Sequence, residues 1–208
     1  MKILHVDASA RTEGSHSRKL SAHFVKALRG CVPELHIDRL DLAVDTPRHF
    51  GALETAAISI PADDDTADMR AAIQASDDIV VRVLAADALV VGTPIYNFSM
   101  PSPLKAFFDH LSRNGKTFVS DETGVKGLLG DKRVAVLSTA GGAYGTGDMF
   151  EGLDCLTPYF RAILGFMGVT DMRFVAARPM MFAGPDAADA AMASALDEAT
   201  ALAEAWSA

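Results

Sequence analysis

Short apolar runs alternate along the chain with longer stretches in which apolar residues recur every three or four positions. That is the pattern of strands joined by crossover helices in a parallel sheet. Lys2 to Val6 reads as the first strand. Ser15 to Ser17 then offer N-cap hydroxyls, and Leu20, Phe24 and Leu28 form an apolar helical stripe that Gly30 can close. Glu34 to Leu42 alternates strictly, as an edge strand with one wet face does. Residues 43–65 hold Pro47, Gly51, Pro61 and the run Asp63-Asp64-Asp65 without clear periodicity. So long an irregular connection is usually functional or mobile, and its acidic run reads as a solvated helix start. A helical pattern carries on from Thr66 through Met69, Ile73, Ile79 or Val80 and Leu84 into a buried central strand, Ala88 to Gly92, which the turn Thr93-Pro94 ends. Ser102 to Asn114 is a helix that buries Leu104, Phe107, Phe108 and Leu111, and Arg133 to Leu137 is the fourth strand. A helix over about Met149 to Met167 leads to the fifth strand, Met172 to Ala176. A last helix begins near Pro185 and carries Met192, Leu196, Ala199, Leu202 and Trp206.

Five strands and about five helices, with no internal repeat and no hydrophilic linker, predict one α/β domain over residues 1–208. The order fits a three-layer αβα arrangement around a flavodoxin-like, doubly wound five-stranded parallel sheet of strand order 2-1-3-4-5. In such a sheet ligands sit beyond the carboxyl ends of the strands. Composition narrows the class further. At 50% hydrophobic and 22% charged residues the chain is too apolar for disorder and too charged for a membrane bundle. A net charge of −8 argues against nucleic acid as a partner. Cys31 and Cys155 form no C-x-x-C, which fits a reducing compartment. The N-terminus meets His5 and Asp7 before any apolar signal region develops. A cytoplasmic protein is expected.

Three loops that follow strands carry the candidate chemistry. Asp7 to Ser17 links the first strand to a helix and contains Ser9, Thr12, Ser15, His16 and Ser17. Hydroxyls at a helix N-terminus suit one terminal phosphate. They equally serve as simple caps, and composition leaves both readings open. Neither G-x-G-x-x-G nor a P-loop is present, and Gly115-Lys116-Thr117 follows a helix and reads as its C-terminal cap. The second loop, Gly92 to Ser102, sets Pro94, Ile95, Tyr96, Asn97 and Phe98 on a proline-stiffened turn. Aromatic walls with an amide suit a flat heteroaromatic ring, although the same aromatics could pack inward. The third, Ser138 to Gly147, contains Thr139, Ala140, Gly141, Gly142 and Tyr144, and its glycines permit close backbone approach to a ligand or serve an ordinary turn. Together the loops make FMN the leading ligand.

Ser9, the Ser15-x-Ser17 helix entry, Pro94 to Phe98, Leu104-Lys105-x-Phe107-Phe108-Asp109 and Thr139-x-Gly141-Gly142 resemble the FMN-dependent NADH azoreductase family, close to the NAD(P)H quinone reductases. The resemblance extends to Leu156-Thr157-Pro158-Tyr159 and Leu164 to Val169, and so covers nearly the whole chain. It implies that Ser9, Ser15, His16 and Ser17 hold the phosphate and ribityl end, that residues 94–98 line the isoalloxazine, and that Thr139, Ala140, Gly141 and Gly142 meet its pyrimidine edge. It further implies a ping-pong cycle in which NADH or NADPH reduces FMN and a quinone or azo compound is then reduced. Ile95 stands where Met is frequent, Ala140 where a larger or polar residue is common, and Tyr144 where some members carry His. Tyr144 is therefore the candidate residue that covers the flavin face or gates the substrate, and Tyr144 and Asn97 are the candidates for acid–base work.

Other readings are weighed against this one. The six histidines make no H-x-H or H-E-x-x-H, so no metal site is expected. Cys155 and the nine methionines read as core residues. A flavodoxin-like electron carrier that docks protein partners is the alternative function; it would present an acidic rim, whereas this chain puts Tyr, Phe and Met there. The aromatic loops and the 43–65 connection are expected to pair across a homodimer.

Overall fold

A computed structural model describes residues 1–59, 66–122 and 124–207. Among these the chain order is β1 (Lys2–Asp7), α1 (His16–Cys31), β2 (His36–Asp41), α2 (Ala52–Ser59), α3 (Ala67–Ala85), β3 (Ala88–Pro94), α4 (Ser102–Leu111), β4 (Phe118–Asp121), β5 (Gly124–Gly127), β6 (Arg133–Thr139), α5 (Leu156–Phe166), β7 (Asp171–Ala177) and α6 (Pro185–Ser207). Five strands form a parallel sheet in the order β2-β1-β3-β6-β7, with β4 and β5 paired apart from it as an antiparallel hairpin. Once the hairpin strands are set aside, this is the expected flavodoxin-like order.

The inner strands are buried on both faces, and their side chains alternate between two cores. Leu4, Val6, Leu89, Val91, Val134 and Val136 pack with α3, α4 and α5. Ile3, Ala88, Val90, Ala135, Leu137 and Val175 pack with α1 and α6. The α6 side of the second core is mostly small: Ala195, Ala199 and Ala203 let the helix lie close to α1 and β7. It is closed by Trp206, whose ring meets Phe24 edge-on at 5.3 Å.

Four expectations are corrected. The 43–65 connection is not wholly irregular, because α2 forms within it; the Asp63-Asp64-Asp65 run lies outside the described residues. The helix expected from Met149 starts at Leu156, because Gly152 turns the chain at φ +75° and the Asp154 carboxylate accepts the Leu156 and Thr157 N–H groups as a cap. Cys155 is consequently exposed just before the helix rather than in the core. Met149 and Met181 are also exposed, at 82% and 67%, so the methionines are not all core filler. The hairpin was not anticipated. It abuts the end of α5 so closely that a Cβ on Gly127 would fall 2.0 Å from the Met167 carbonyl carbon.

One buried polar cluster fixes the sheet's carboxyl edge. Asp7, at the end of β1, is 1% exposed. Its Oδ1 accepts the Ser21 hydroxyl of α1 at 3.1 Å, and its Oδ2 accepts Arg39 Nη2 of β2 at 2.8 Å. Arg18 lies 3.6 Å away and His5 3.5 Å away. On the next strand Gly92 has to lack a side chain, since a Cβ there would sit 2.5 Å from Ser21 Oγ and 3.2 Å from Asp7 Oδ1. Burial pushes the Asp7 carboxyl up, but hydrogen bonding and charge from His5, Arg39 and Arg18 outweigh it and lower the group from 3.8 to about 2.

A carboxyl held below its unfolded value contributes stability that is complete above about pH 4 and is lost as the pH falls toward about 2. For Asp7 the contribution is on the order of 2 kcal/mol. Urea titrations across that window should show the wild type losing stability steeply. Asp7→Asn should be less stable at neutral pH and markedly flatter in acid; parallel curves for the two proteins would contradict the assignment.

Candidate functional site

The ends of β1, β3, β6 and β7 open onto one cleft of about 630 Å³, within the range of small-molecule and cofactor sites. Its floor begins at the β1–α1 loop. Ser9 is buried, its Oγ accepts the Arg11 N–H at 3.2 Å and lies 3.4 Å from the Tyr96 hydroxyl. Ser15 is the N-cap of α1; its Oγ accepts the Arg18 N–H and lies 3.3 Å from Ser17 Oγ. The first N–H groups of a helix have no intrahelical acceptor, so those of His16 and Ser17 remain for an anion. Ser9, Ser15 and His16 line the cleft with Arg11, while Ser17 is fully buried behind them and reaches it through Ser15.

The second wall is a hairpin of two central residues. Tyr96 and Ser99 exchange both backbone hydrogen bonds, at 2.8 and 3.0 Å. Asn97 and Phe98 between them have φ of +48° and +70°. Such turns need positive φ at both central positions, which Asn tolerates and a bulky aromatic does not. The strain is held from outside the turn: the Ile95 N–H donates to the Thr139 carbonyl, and the Phe98 carbonyl accepts the Cys155 N–H at 2.9 Å. Phe98 thereby stands 41% exposed at the cleft instead of packing inward.

The third wall is the loop after β6. The carbonyls of Ala140 and Gly141 accept N–H groups of Met180, Met181 and Phe182, so this loop is tied to the one after β7. Phe150 packs directly on Gly142, where a Cβ would come within 2.2 Å of its ring, and Phe182 packs on Gly141. Phe150 is also the hub of a ring cluster, with Phe98 at 5.7 Å, Tyr144 at 5.6 Å and Phe182 at 5.9 Å. Behind Tyr144 stands the Arg178 guanidinium, 5.4 Å from the ring centre and paired with Asp154 at 3.0 Å. Burial pushes the Tyr144 phenol up against the opposing effect of Arg178, so it stays protonated and can donate a hydrogen bond.

Pro94, Ile95, Tyr96, Asn97, Phe98, Thr139, Ala140, Gly141, Gly142 and Tyr144 all line this cleft. Sequence reasoning missed Arg11, Phe150, Met180, Met181 and Phe182. The last three follow the carboxyl end of β7, so the strand-end rule that found the other loops applies to them as well. Among the described residues no group of three or more His, Cys, Asp or Glu is placed to hold a metal ion, and no helix is long and apolar enough to cross a membrane. One end of the cleft thus suits an anion through hydroxyls and helix N–H groups. The other suits a planar ring through aromatic faces and bare glycine backbone.

Residues 1–203 match a protein family described as having a flavodoxin-like fold. The chain is 40% identical over 201 residues to an FMN-dependent NADH:quinone oxidoreductase of Albidiferax ferrireducens, covering 97% of each chain. It is 42% identical over 177 residues to a protein of the same name from Laribacter hongkongensis, covering 85% of this chain and 88% of that one. Among solved structures, an azoreductase from Bacillus anthracis superposes with a TM-score of 0.91 at 29% identity, over 98% of this chain and 99% of that one.

The strained hairpin yields a test independent of any ligand. Phe98→Ala removes the ring but keeps a side chain in the left-handed region, whereas Phe98→Gly removes both. The glycine variant should be the more stable of the two by about 1 kcal/mol in urea unfolding. An alanine variant as stable as the glycine one would mean that the turn is not strained.

Proposed function

We infer the activity from the family to which this chain belongs, the FMN-dependent NADH:quinone oxidoreductases of flavodoxin-like fold. The reaction we propose is two-electron transfer from NADH or NADPH to a quinone or azo acceptor. Bound FMN would supply the two-electron redox chemistry, and we propose that donor and acceptor use the same site in turn, a ping-pong sequence. The observation that carries this reading is the division of one cleft into an anion-accepting end at the α1 N-terminus and a ring-accepting end between the loops after β3 and β6.

The chain's own residues bind and orient. Ser9, Ser15, His16 and Ser17 would hold the phosphate and ribityl end, with Arg11 adding charge at the rim. Pro94, Ile95, Tyr96, Asn97 and Phe98 would wall the ring. Thr139, Ala140, Gly141 and Gly142 would meet its polar edge with backbone groups, and the fit there depends on glycine, since a side chain on Gly142 would collide with Phe150. Phe98, Phe150 and Phe182 make the substrate side apolar, which keeps water from a reduced cofactor. The protonated Tyr144 hydroxyl is the candidate donor toward an acceptor oxygen or nitrogen. An electron carrier docking proteins is disfavoured by the cleft's mouth, where Phe98, Met181 and Phe182 are exposed and the described lining holds no Asp or Glu. Residues 1–208 would act as a single domain in the cytoplasm.

The purified protein should be yellow and should bleach on addition of NADH without air, regaining colour when a quinone is added. A colourless chain that takes up no FMN would overturn the proposal. The same apolar mouth supports a homodimer in which the aromatic loops and the 43–65 connection cover the cleft from both copies. Light scattering should give twice the chain mass; a monomer that still turns over quinone would refute that arrangement.

A further inference from the structure

We propose that Arg18 is the positioning residue of the phosphate end, setting the shape of the β1–α1 loop without touching the ligand; this rests on the FMN reading above. Arg18 sits in the first turn of α1 and its side chain is 11% exposed. It does not line the cleft, whereas Ser9, Arg11, Ser15 and His16 do. Its guanidinium makes four hydrogen bonds. Nη1 and Nη2 donate to the two Asp41 carboxylate oxygens, each at 2.6 Å. Nη2 also donates to the Ser9 carbonyl and Nε to the Arg11 carbonyl, both at 2.8 Å.

The two carbonyl contacts decide the loop's polarity. In a trans peptide the C=O and the following N–H point in opposite directions. Drawing the Ser9 and Arg11 carbonyls onto Arg18 therefore turns the Ala10 and Thr12 N–H groups away from it. It also keeps two carbonyl oxygens, which would repel a phosphate, on the far side of the loop. Asp41 ends β2 and Asp7 ends β1, so the fork is braced against two strands of the sheet. Arg18 and Arg39 are each paired with the Asp7 and Asp41 carboxylates, so the Arg18 guanidinium is already committed and is not free to pair with a phosphate. The role of Arg18 is accordingly geometric. A lysine cannot replace it, because an ammonium group lacks the planar fork that meets a carboxylate and two carbonyls at once.

The test separates the phosphate from the ring. FMN and riboflavin share the ring and differ in the phosphate, so the ratio of their dissociation constants reports what the phosphate end contributes. Both flavins are titrated by fluorescence quenching onto the full chain stripped of flavin, as wild type, Arg18→Met, Arg18→Lys and Asp41→Asn. In Arg18→Met the preference for FMN should fall at least about tenfold while riboflavin affinity stays within about threefold. Arg18→Lys should recover only part of it. Should Arg18→Met not fold, Asp41→Asn keeps the arginine but loosens its brace, and should itself lower the preference by about threefold or more. A folded Arg18→Met or Asp41→Asn that keeps the wild-type preference overturns the inference, as does an equal loss of both flavins. Where the wild type prefers FMN, such a result leaves the reading of the site standing. A wild type that takes up neither flavin overturns that reading and this inference together.

Discussion

A carboxylate sealed from water has to be neutralised by its neighbours, and at Asp7 that requirement organises the whole carboxyl edge of the sheet. Its two oxygens are met from α1 through Ser21 and from β2 through Arg39, with His5 and Arg18 close by. Breaking such a cluster by removing one partner leaves an uncompensated buried charge, which is far more costly than a surface pair. The strand ends, the helix N-terminus and the loop between them are therefore held in one relative placement. Gly92 belongs to the same constraint, because the central strand lies against this cluster only where it carries no side chain.

On that base the cleft is built with two kinds of wall. The hairpin at Tyr96 to Ser99 and the loop at Thr139 to Gly142 are fixed by backbone hydrogen bonds to neighbouring strands and loops. Among the outer rings, Phe98 and Phe182 each meet Phe150 edge-on, at 5.7 and 5.9 Å. Edge-on aromatic contacts hold through shape and modest electrostatics rather than directed bonds. The inner wall is thus preorganised by directed bonds, and the rings of the outer wall are held by packing.

Much of this was legible in the residues. Four of the sheet strands are short runs rich in apolar residues and β2 alternates apolar with polar positions, and the loops after the first, third and fourth sheet strands announce themselves by hydroxyls, aromatics and glycines. What escaped notice lacks those signals. The hairpin strands Phe118–Asp121 and Gly124–Gly127 are four residues each and largely exposed, so no alternation marks them; their anchor is backbone contact with Met167 and Gly168. The start of α5 was misplaced because Met149, Phe150 and Leu153 mimic a helical apolar stripe. Phe150 is in fact turned onto Gly142, and Asp154 supplies the cap. The 180–182 segment follows a strand but contains no glycine or hydroxyl. Its membership of the cleft depends on hydrogen bonds to Ala140 and Gly141 that only the fold brings together.

Trp206, the single tryptophan, closes the core on the α1 and α6 side, and its carbonyl accepts Arg133 Nη1 at the first residue of β6. Thr139, at the other end of β6, lines the cleft; strand rise puts roughly 20 Å between the two ends. Tyr96 and Tyr144 stand at the cleft itself. The chain thus carries two native optical probes at opposite edges of one sheet. Indole emission follows the integrity of the helical layer, while Tyr96 and Tyr144, unlike Tyr159, which does not line the cleft, add an absorbance component that follows events at the mouth.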